Sequence, residues 1–289
     1  ISERWLNCEY RTPVTFFNIK LPKKFSTPTE VVDMPLVPSS QLKMKEFEKY
    51  FTKVRNFKNF NRLQSQVFDA VYNSNDNIFC GISKGSGKTL IAELAIFNYW
   101  KSKKPGRVIY INPNEEQVDS LYRLWTKYFS GIAGGKQIAK LSSSGELAIN
   151  SKKVADNHLI LSTPENFNLL IKRWTKQRKI ISKIDLLILD DVHTVGQGVI
   201  GAAYEAIVST TRFVMNQLEK EDDFRVVALG SSIANGRDFS EWLGVSKGKI
   251  FNFAATERSQ PIEIHLRSLN INHYPSFVTS LLKSSYKSF

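Results

Sequence analysis

Long apolar runs are missing from this chain. No stretch of about 18 apolar residues occurs in its 289 residues, so nothing in it reads as a membrane-crossing helix. Cysteine is scarce: Cys8 and Cys80 stand far apart, with no C-x-x-C pair and no zinc-ligand spacing. That pattern fits buried thiols in a reducing compartment better than a disulfide or a metal site. No internal repeat is visible. Acidic residues are in deficit, with 27 Asp and Glu against 40 Lys and Arg, a formal net charge of +13. Such a balance suits a polyanionic partner such as RNA or DNA, although a total says nothing about clustering. What is present in quantity is core material: 42% hydrophobic and 12% aromatic residues exclude wholesale disorder. The first residue is Ile1 inside the strand-like stretch ISERWL, so the chain is expected to be a piece of a longer protein.

The pattern along the chain changes near residue 60. Before it, LPKKFSTPTEVVDMPLVPSS is punctuated by proline and reads as extended, and QLKMKEFEKYF has helical spacing. Residues 1–60 are therefore expected to be an extended connector lying against a domain. After it, FNRLQSQVFDAVYNS reads as an amphipathic helix. The short apolar strands NIFCG, RVIYIN, HLILST, IDLLILD and RVVALG then alternate with the helices TLIAELAIFNYW, EEQVDSLYRLWTKYF, PENFNLLIKRW and YEAIVSTTRFVMNQLEK. The expected class is α/β, a mainly parallel sheet covered by helices on both faces. Beyond Gly244 the pattern turns strand-rich.

Two stretches carry chemistry. GISKGSGKT (81–89) runs from a strand into a helix, where exposed N–H groups and the helix dipole can hold a phosphate. Gly85, Ser86 and Gly87 would let the backbone approach; Lys88 would reach the terminal phosphates and Thr89 would ligate Mg2+. A strict G-x-x-x-x-G-K-[ST] is not met, because Ile82 occupies the first glycine position. DDVH (190–193) ends the strand IDLLILD, where ligands gather in open parallel sheets. Asp190 is placed to hold Mg2+, and Asp191 to face an attacking water as general base. No N-K-x-D guanine-reading element accompanies the loop, which argues against a GTPase.

Gln64, GSGKT, INP at 111–113, STPE at 162–165 and DDVH, in that order, resemble the first RecA-like lobe of the Ski-like DExH helicases. FNRLQSQVFDAVYNSNDNIFCG, LLILDDVH, DFSEWLG and FNFAATERSQPIEIHLRSL resemble, more narrowly, the C-terminal cassette of the spliceosomal U5 snRNP members of that group, which unwind U4/U6 snRNA. The resemblance covers nearly the whole chain. It implies a connector over 1–60, a RecA-like P-loop NTPase lobe over 61–255 and the truncated start of a second lobe over 256–289. It also implies ATP and Mg2+ as cofactors, a nuclear location, and spliceosomal proteins and a preceding cassette of the same parent chain as partners, with RNA a candidate. By position, Gln64 would read adenine and His193 would couple nucleotide state to RNA-contacting elements. Asn112, Pro113, Thr163, Pro164 and Glu165 would touch the RNA backbone.

Departures from the family matter too. The family loop begins Ala-Pro-Thr where this chain has Ile82, Ser83 and Lys84, and Ile82 is expected to crowd it. Asp191 replaces the catalytic glutamate, and the Ser-Ala-Thr coupling motif is Gly230, Ser231, Ser232. Shortening the base withdraws it by about 1.5 Å, and a displacement near 1 Å can cost roughly 100-fold in rate. The arginines of the family's second lobe are expected to be missing. The favoured reading is therefore a weak or inactive pseudo-helicase lobe acting as a regulatory and protein-interaction platform in pre-mRNA splicing. The alternative is a catalytically active, RNA-translocating lobe. The basic and aromatic run KRWTKQRK (172–179) reads either as an RNA contact or as a solvated or protein-facing surface.

Overall fold

The computed structural model describes residues 27–142 and 147–257. The expectations for Cys8, for residues 1–26 of the connector and for residues 258–289 of a second lobe lie outside the described residues.

Seven strands form one sheet: β1 (Ile78–Gly81), β2 (Arg107–Ile111), β3 (Ile138–Lys140), β4 (Leu159–Ser162), β5 (Ile184–Leu189), β6 (Arg225–Gly230) and β7 (Ile250–Asn252). Their spatial order is β3-β4-β2-β5-β6-β1-β7, and every pairing is parallel. All seven carboxyl ends therefore share one rim. Strands covered on both faces need apolar side chains in both directions, which is why they read as continuous apolar runs. Their alternate residues divide accordingly: Cys80, Tyr110 and Ile188 enter one core cluster, and Phe79, Ile109 and Leu187 the other.

The first face is covered by α1 (Lys45–Lys49), α2 (Arg62–Phe68), α3 (Lys88–Lys101) and α4 (Glu115–Phe129). Helices α1 and α2 each run on into a five-residue π-turn, Tyr50–Val54 and Asp69–Asn73. The guanidinium of Arg225 donates to the carbonyls of Ala70, Val71 and Asp76, taking up acceptors that the second π-turn and the following loop leave open. Side chains 91 to 100 of α3 are all buried, as expected of a helix covered on every side. The second face carries α6 (Pro164–Ile171), α8 (Gly198–Gln217) and α9 (Gly236–Trp242). Two further helices lie among the described residues, α5 (Leu147–Asp156) and the one-turn α7 (Arg178–Ile181).

Packing is continuous across residue 60. Leu42, Phe47, Tyr50, Phe51 and Phe60 are buried in the same cluster as Val67, Phe97 and Trp125. Upstream, Thr29 donates its N–H to the carbonyl of Asn252 at 2.8 Å, alongside the edge strand β7. The helix that the sequence starts at Tyr204 begins six residues earlier, at Gly198. Gly201 is the cause: a Cβ there would run into the carbonyl of Val195, so this glycine permits close packing and does not break the helix.

Candidate functional site

The phosphate loop is built at the end of β1. Ile82 extends the ladder by donating its N–H to the carbonyl of Gly230 at 2.9 Å. Its side chain is fully buried within the first-face cluster, so it does not crowd the loop as the sequence suggests. Gly85 and Gly87 adopt φ of 88° and 87°, which only glycine takes without strain. Helix α3 starts at Lys88, and among the described residues no acceptor meets the N–H groups of Gly87, Lys88 and Thr89. These open amides at a helix N-terminus form an anion site.

Behind the loop stands α2. Asn61 and Gln64 form a reciprocal capping box: Gln64 donates its backbone N–H to Asn61 Oδ1 at 2.8 Å, and Asn61 donates its own to Gln64 Oε1 at 3.0 Å. The remaining amide nitrogens reach the loop, Asn61 Nδ2 donating to the Ser86 carbonyl at 3.1 Å and Gln64 Nε2 to the Gly87 carbonyl at 3.3 Å. Gln64, expected to read adenine, is thus buried against the phosphate loop.

Asp190 follows β5 and is almost entirely buried. Its Oδ2 accepts from the Tyr110 hydroxyl at 2.6 Å and from Asn112 Nδ2 at 3.3 Å, and its Oδ1 from the Asp191 N–H at 2.9 Å. Burial pushes the Asp190 carboxyl above its usual range, and the hydrogen bond from Tyr110 works against that. Asp191 turns into the left-handed region, φ 49° and ψ 33°. Its carboxylate meets Lys88 Nζ at 3.4 Å. That contact joins the start of α3 to the end of β5, so Thr89 and Asp190, each one residue from the pair, stand at one rim.

His193 lies in the 3-10 turn Val192–Gly196 and accepts the Ser231 N–H through Nδ1 at 3.1 Å, with the Ser231 hydroxyl 3.3 Å from Nε2. Burial lowers the pKa of this histidine, Asp191 opposes the shift, and Lys88 adds to it. The acceptor role of Nδ1 requires the neutral ring. Ser231 is the middle residue of the Gly230-Ser231-Ser232 stretch, so the DDVH turn and the end of β6 are in direct contact.

The candidate RNA residues separate. Asn112 is fully buried, bonded to Asp190, to Gln117 Oε1 at 3.1 Å and to the Asn114 N–H at 2.8 Å, so it supports the carboxylate and does not face outward. Pro164 is also buried, as the first residue of α6, while Pro113, Thr163 and Glu165 are half-buried at the strand-end rim. The run 172–179 exposes its cations, and none of them forms an ion pair among the described residues; Trp174 packs edge-on against Phe213, ring centres 6.0 Å apart. The run follows the carboxyl end of α6, at the end of the sheet away from the phosphate loop.

Sequence reasoning missed Asn61, Tyr110 and Glu93. The N-x-x-Q spacing of Asn61 and Gln64 is a legible cap signal. Tyr110 carries no signal, since its bond to Asp190 spans eighty positions. Glu93, in the second turn of α3, is fully buried and accepts from the Tyr50 hydroxyl at 2.7 Å, from Trp125 Nε1 at 2.8 Å and from Arg55.

The residues at this rim fit a nucleoside triphosphate with a divalent cation. The open amides and Lys88 suit phosphate oxygens, and the Thr89 hydroxyl and the Asp190 carboxylate are oxygen donors of the kind Mg2+ takes.

Comparison with known proteins agrees with this geometry. The chain is 40% identical over 288 residues to the pre-mRNA-splicing factor brr2 of Schizosaccharomyces pombe, and 38% identical over 286 residues to the human U5 small nuclear ribonucleoprotein 200 kDa helicase. These matches cover 100% and 99% of the chain and 13% of each relative, so the chain spans about an eighth of the length of the curated relatives it matches. Among solved structures, the DUF1998 helicase MrfA bound to DNA superposes with a TM-score of 0.58 at 18% identity, over 81% of this chain and 33% of that one. The Pyrococcus furiosus Hef helicase domain superposes with a TM-score of 0.50 at 20% identity, over 66% and 38%. Likeness at that identity shows the RecA-like fold. The DEAD/DEAH box helicase family matches residues 61–235, the span that holds Gln64, the phosphate loop, DDVH and Ser231, and the chain belongs to that family.

Proposed function

We propose that this chain is the ATP-binding lobe of a spliceosomal DExH-box RNA helicase cassette. In this reading it holds ATP with Mg2+, turns it over weakly or not at all, and serves pre-mRNA splicing in the nucleus as a regulatory and protein-interaction platform. The meeting of Lys88 with Asp191 at the strand ends carries the reading. It supports a phosphate site facing the carboxylate pair, and it also engages the one carboxylate that would serve as base. Asp191 is short, held by a cation and fixed in a left-handed turn, so its freedom to reach a water is reduced. Lys88 and the loop amides would bind phosphates, Ile82 would support the loop from the core, and Asp190 with Thr89 would hold the cation. Mg2+, when bound, would neutralise phosphate charge. Spliceosomal proteins and a preceding cassette are the proposed partners. RNA would lie along the rim at 111–113 and 162–165, with Pro113, Thr163 and Glu165 accessible to it.

One observation favours the alternative, an active lobe: the contact between His193 and Ser231 preserves a path from the carboxylate turn to β6. A protein containing both lobes of the cassette separates the readings. ATP binding is expected, with negligible phosphate release in the presence or absence of single-stranded RNA. RNA-stimulated release that disappears in Lys88→Ala would replace the first reading with the second.

A further inference from the structure

We infer that the surface formed by α6, the basic run 172–179 and the far end of α8 docks an acidic protein segment carrying large apolar side chains. The inference gives the protein-interaction part of the reading above a place and a partner chemistry, and it rests on that part alone.

Charge here has one sign. No Asp or Glu occurs from 166 to 184, whereas Lys172, Arg173, Lys176, Arg178, Lys179 and Lys183 all fall in that span. These six residues are exposed, and none of them forms an ion pair among the described residues. Nor does α8 supply an acid between 206 and 218. Like charges within a Debye length, about 10 Å at 0.1 M salt, repel one another. An acidic partner relieves that repulsion, and the same field steers its approach.

Apolar side chains stand beside these cations. Leu169 is 61% exposed and Phe213 54%, two of the six large apolar residues left in solvent among the described residues. Lys172 and Arg173 continue the helical path of α6, donating their N–H groups to the carbonyls of Asn168 and Leu170. Leu169 therefore lies one turn before both cations. Across from it in sequence, Trp174 is half-buried and packs edge-on against Phe213. Apolar groups rimmed by charge are the makeup of a protein-binding surface. An RNA strand would take the cations and gain nothing from Leu169. Base stacking also needs open ring faces, and the two rings here are engaged with each other.

Position keeps this surface apart from the nucleotide site. Each of α6 and α8 lies between two parallel strands in sequence, so both run back along the sheet and end away from the phosphate loop. A bound partner would leave the strand-end rim uncovered.

A random displayed-peptide library selected on the protein tests this, with the enriched peptides titrated against wild type, Leu169→Ser and the double variant Arg173→Glu, Lys176→Glu. The three replaced residues are exposed, so the fold should survive both variants, and an unchanged urea midpoint checks that it does. Enriched peptides should combine Asp or Glu with Leu, Phe or Trp. The charge-reversed protein should bind them about tenfold or more weakly, and Leu169→Ser about fivefold to tenfold more weakly. ATP affinity should be the same in all three proteins. Enriched peptides that lack acids or bind the variants as well as wild type would overturn the inference, as would the absence of any enrichment. Oligouridine that displaces the peptides, and loses affinity on charge reversal but not in Leu169→Ser, would overturn it in favour of RNA. Peptides that behave as expected on a protein that fails to bind ATP would remove the nucleotide reading and leave this one standing.

Discussion

The two faces of the sheet are built from different materials. The first, which carries the helix of the phosphate loop, is a layer of rings: Phe47 stacks on Phe97 at 4.3 Å and Trp125 on Phe129 at 5.6 Å, with Tyr50 edge-on to Phe51, Phe97 and Phe129. One carboxylate, Glu93, sits at its centre and bonds to Tyr50, Trp125 and Arg55. The second face is mostly Ile, Leu and Val, with Phe167 and Tyr204 among them. Rings that carry a polar handle demand a partner for it, and their edge-to-face geometry is directional. Aliphatic packing accepts volume-conserving changes. The lobe therefore fixes α3 with directional bonds, and fills the side beneath α8 with material that tolerates change.

Glu93→Ala should break that contrast most. It strands the Arg55 charge, the Tyr50 hydroxyl and the Trp125 N–H together, and removing one partner of a buried ion pair costs about 3–5 kcal/mol. Urea denaturation measures it, and a loss below about 1 kcal/mol would show that the first face is no more directional than the second. On the second face, Ile207→Val should cost about 0.5–1.5 kcal/mol in the same assay. A larger loss there would erase the distinction. Smaller still is the effect of Asp191→Asn, which releases Lys88 from its carboxylate and should tighten ATP binding about threefold, roughly 0.6 kcal/mol. Unchanged or weaker binding would mean that the ion pair does not compete with phosphate. Last, Cys80 lies on the ring side of β1, fully buried, its thiol pushed up to about 12 by burial. In a Cys8→Ser protein the remaining thiol should resist a thiol reagent at about pH 8 until the chain is unfolded. Labelling of the folded protein at the rate of a free thiol would show that the layer around Cys80 opens readily.

Much of the fold was legible because a strand buried on both faces must be apolar throughout. NIFCG, RVIYIN, HLILST, IDLLILD and RVVALG all fall on observed strands. The phosphate loop and the carboxylate turn were legible because their chemistry needs particular residues at fixed local spacing. Features that depend on distant contacts were not. β3 has three residues and half of α5 is polar, too short or too mixed to show a period. Asn112 looked like an outward-facing polar residue, and its partner Asp190 is seventy-eight positions away. Ile82 looked like an obstruction because a motif records spacing and not the direction of a side chain. Replacing it with alanine would empty part of the core, at about 2–5 kcal/mol.

The left-handed backbone at Asp191 constrains any attempt to lengthen the acid at that position. Aspartate and asparagine visit that conformation readily because a short polar side chain can bond locally, whereas longer side chains do so less often. A glutamate there would gain reach towards the rim and lose conformational ease in the same substitution. The turn and the short acid are matched to each other, so swapping this one residue retunes the backbone of the turn as well as the reach of the acid.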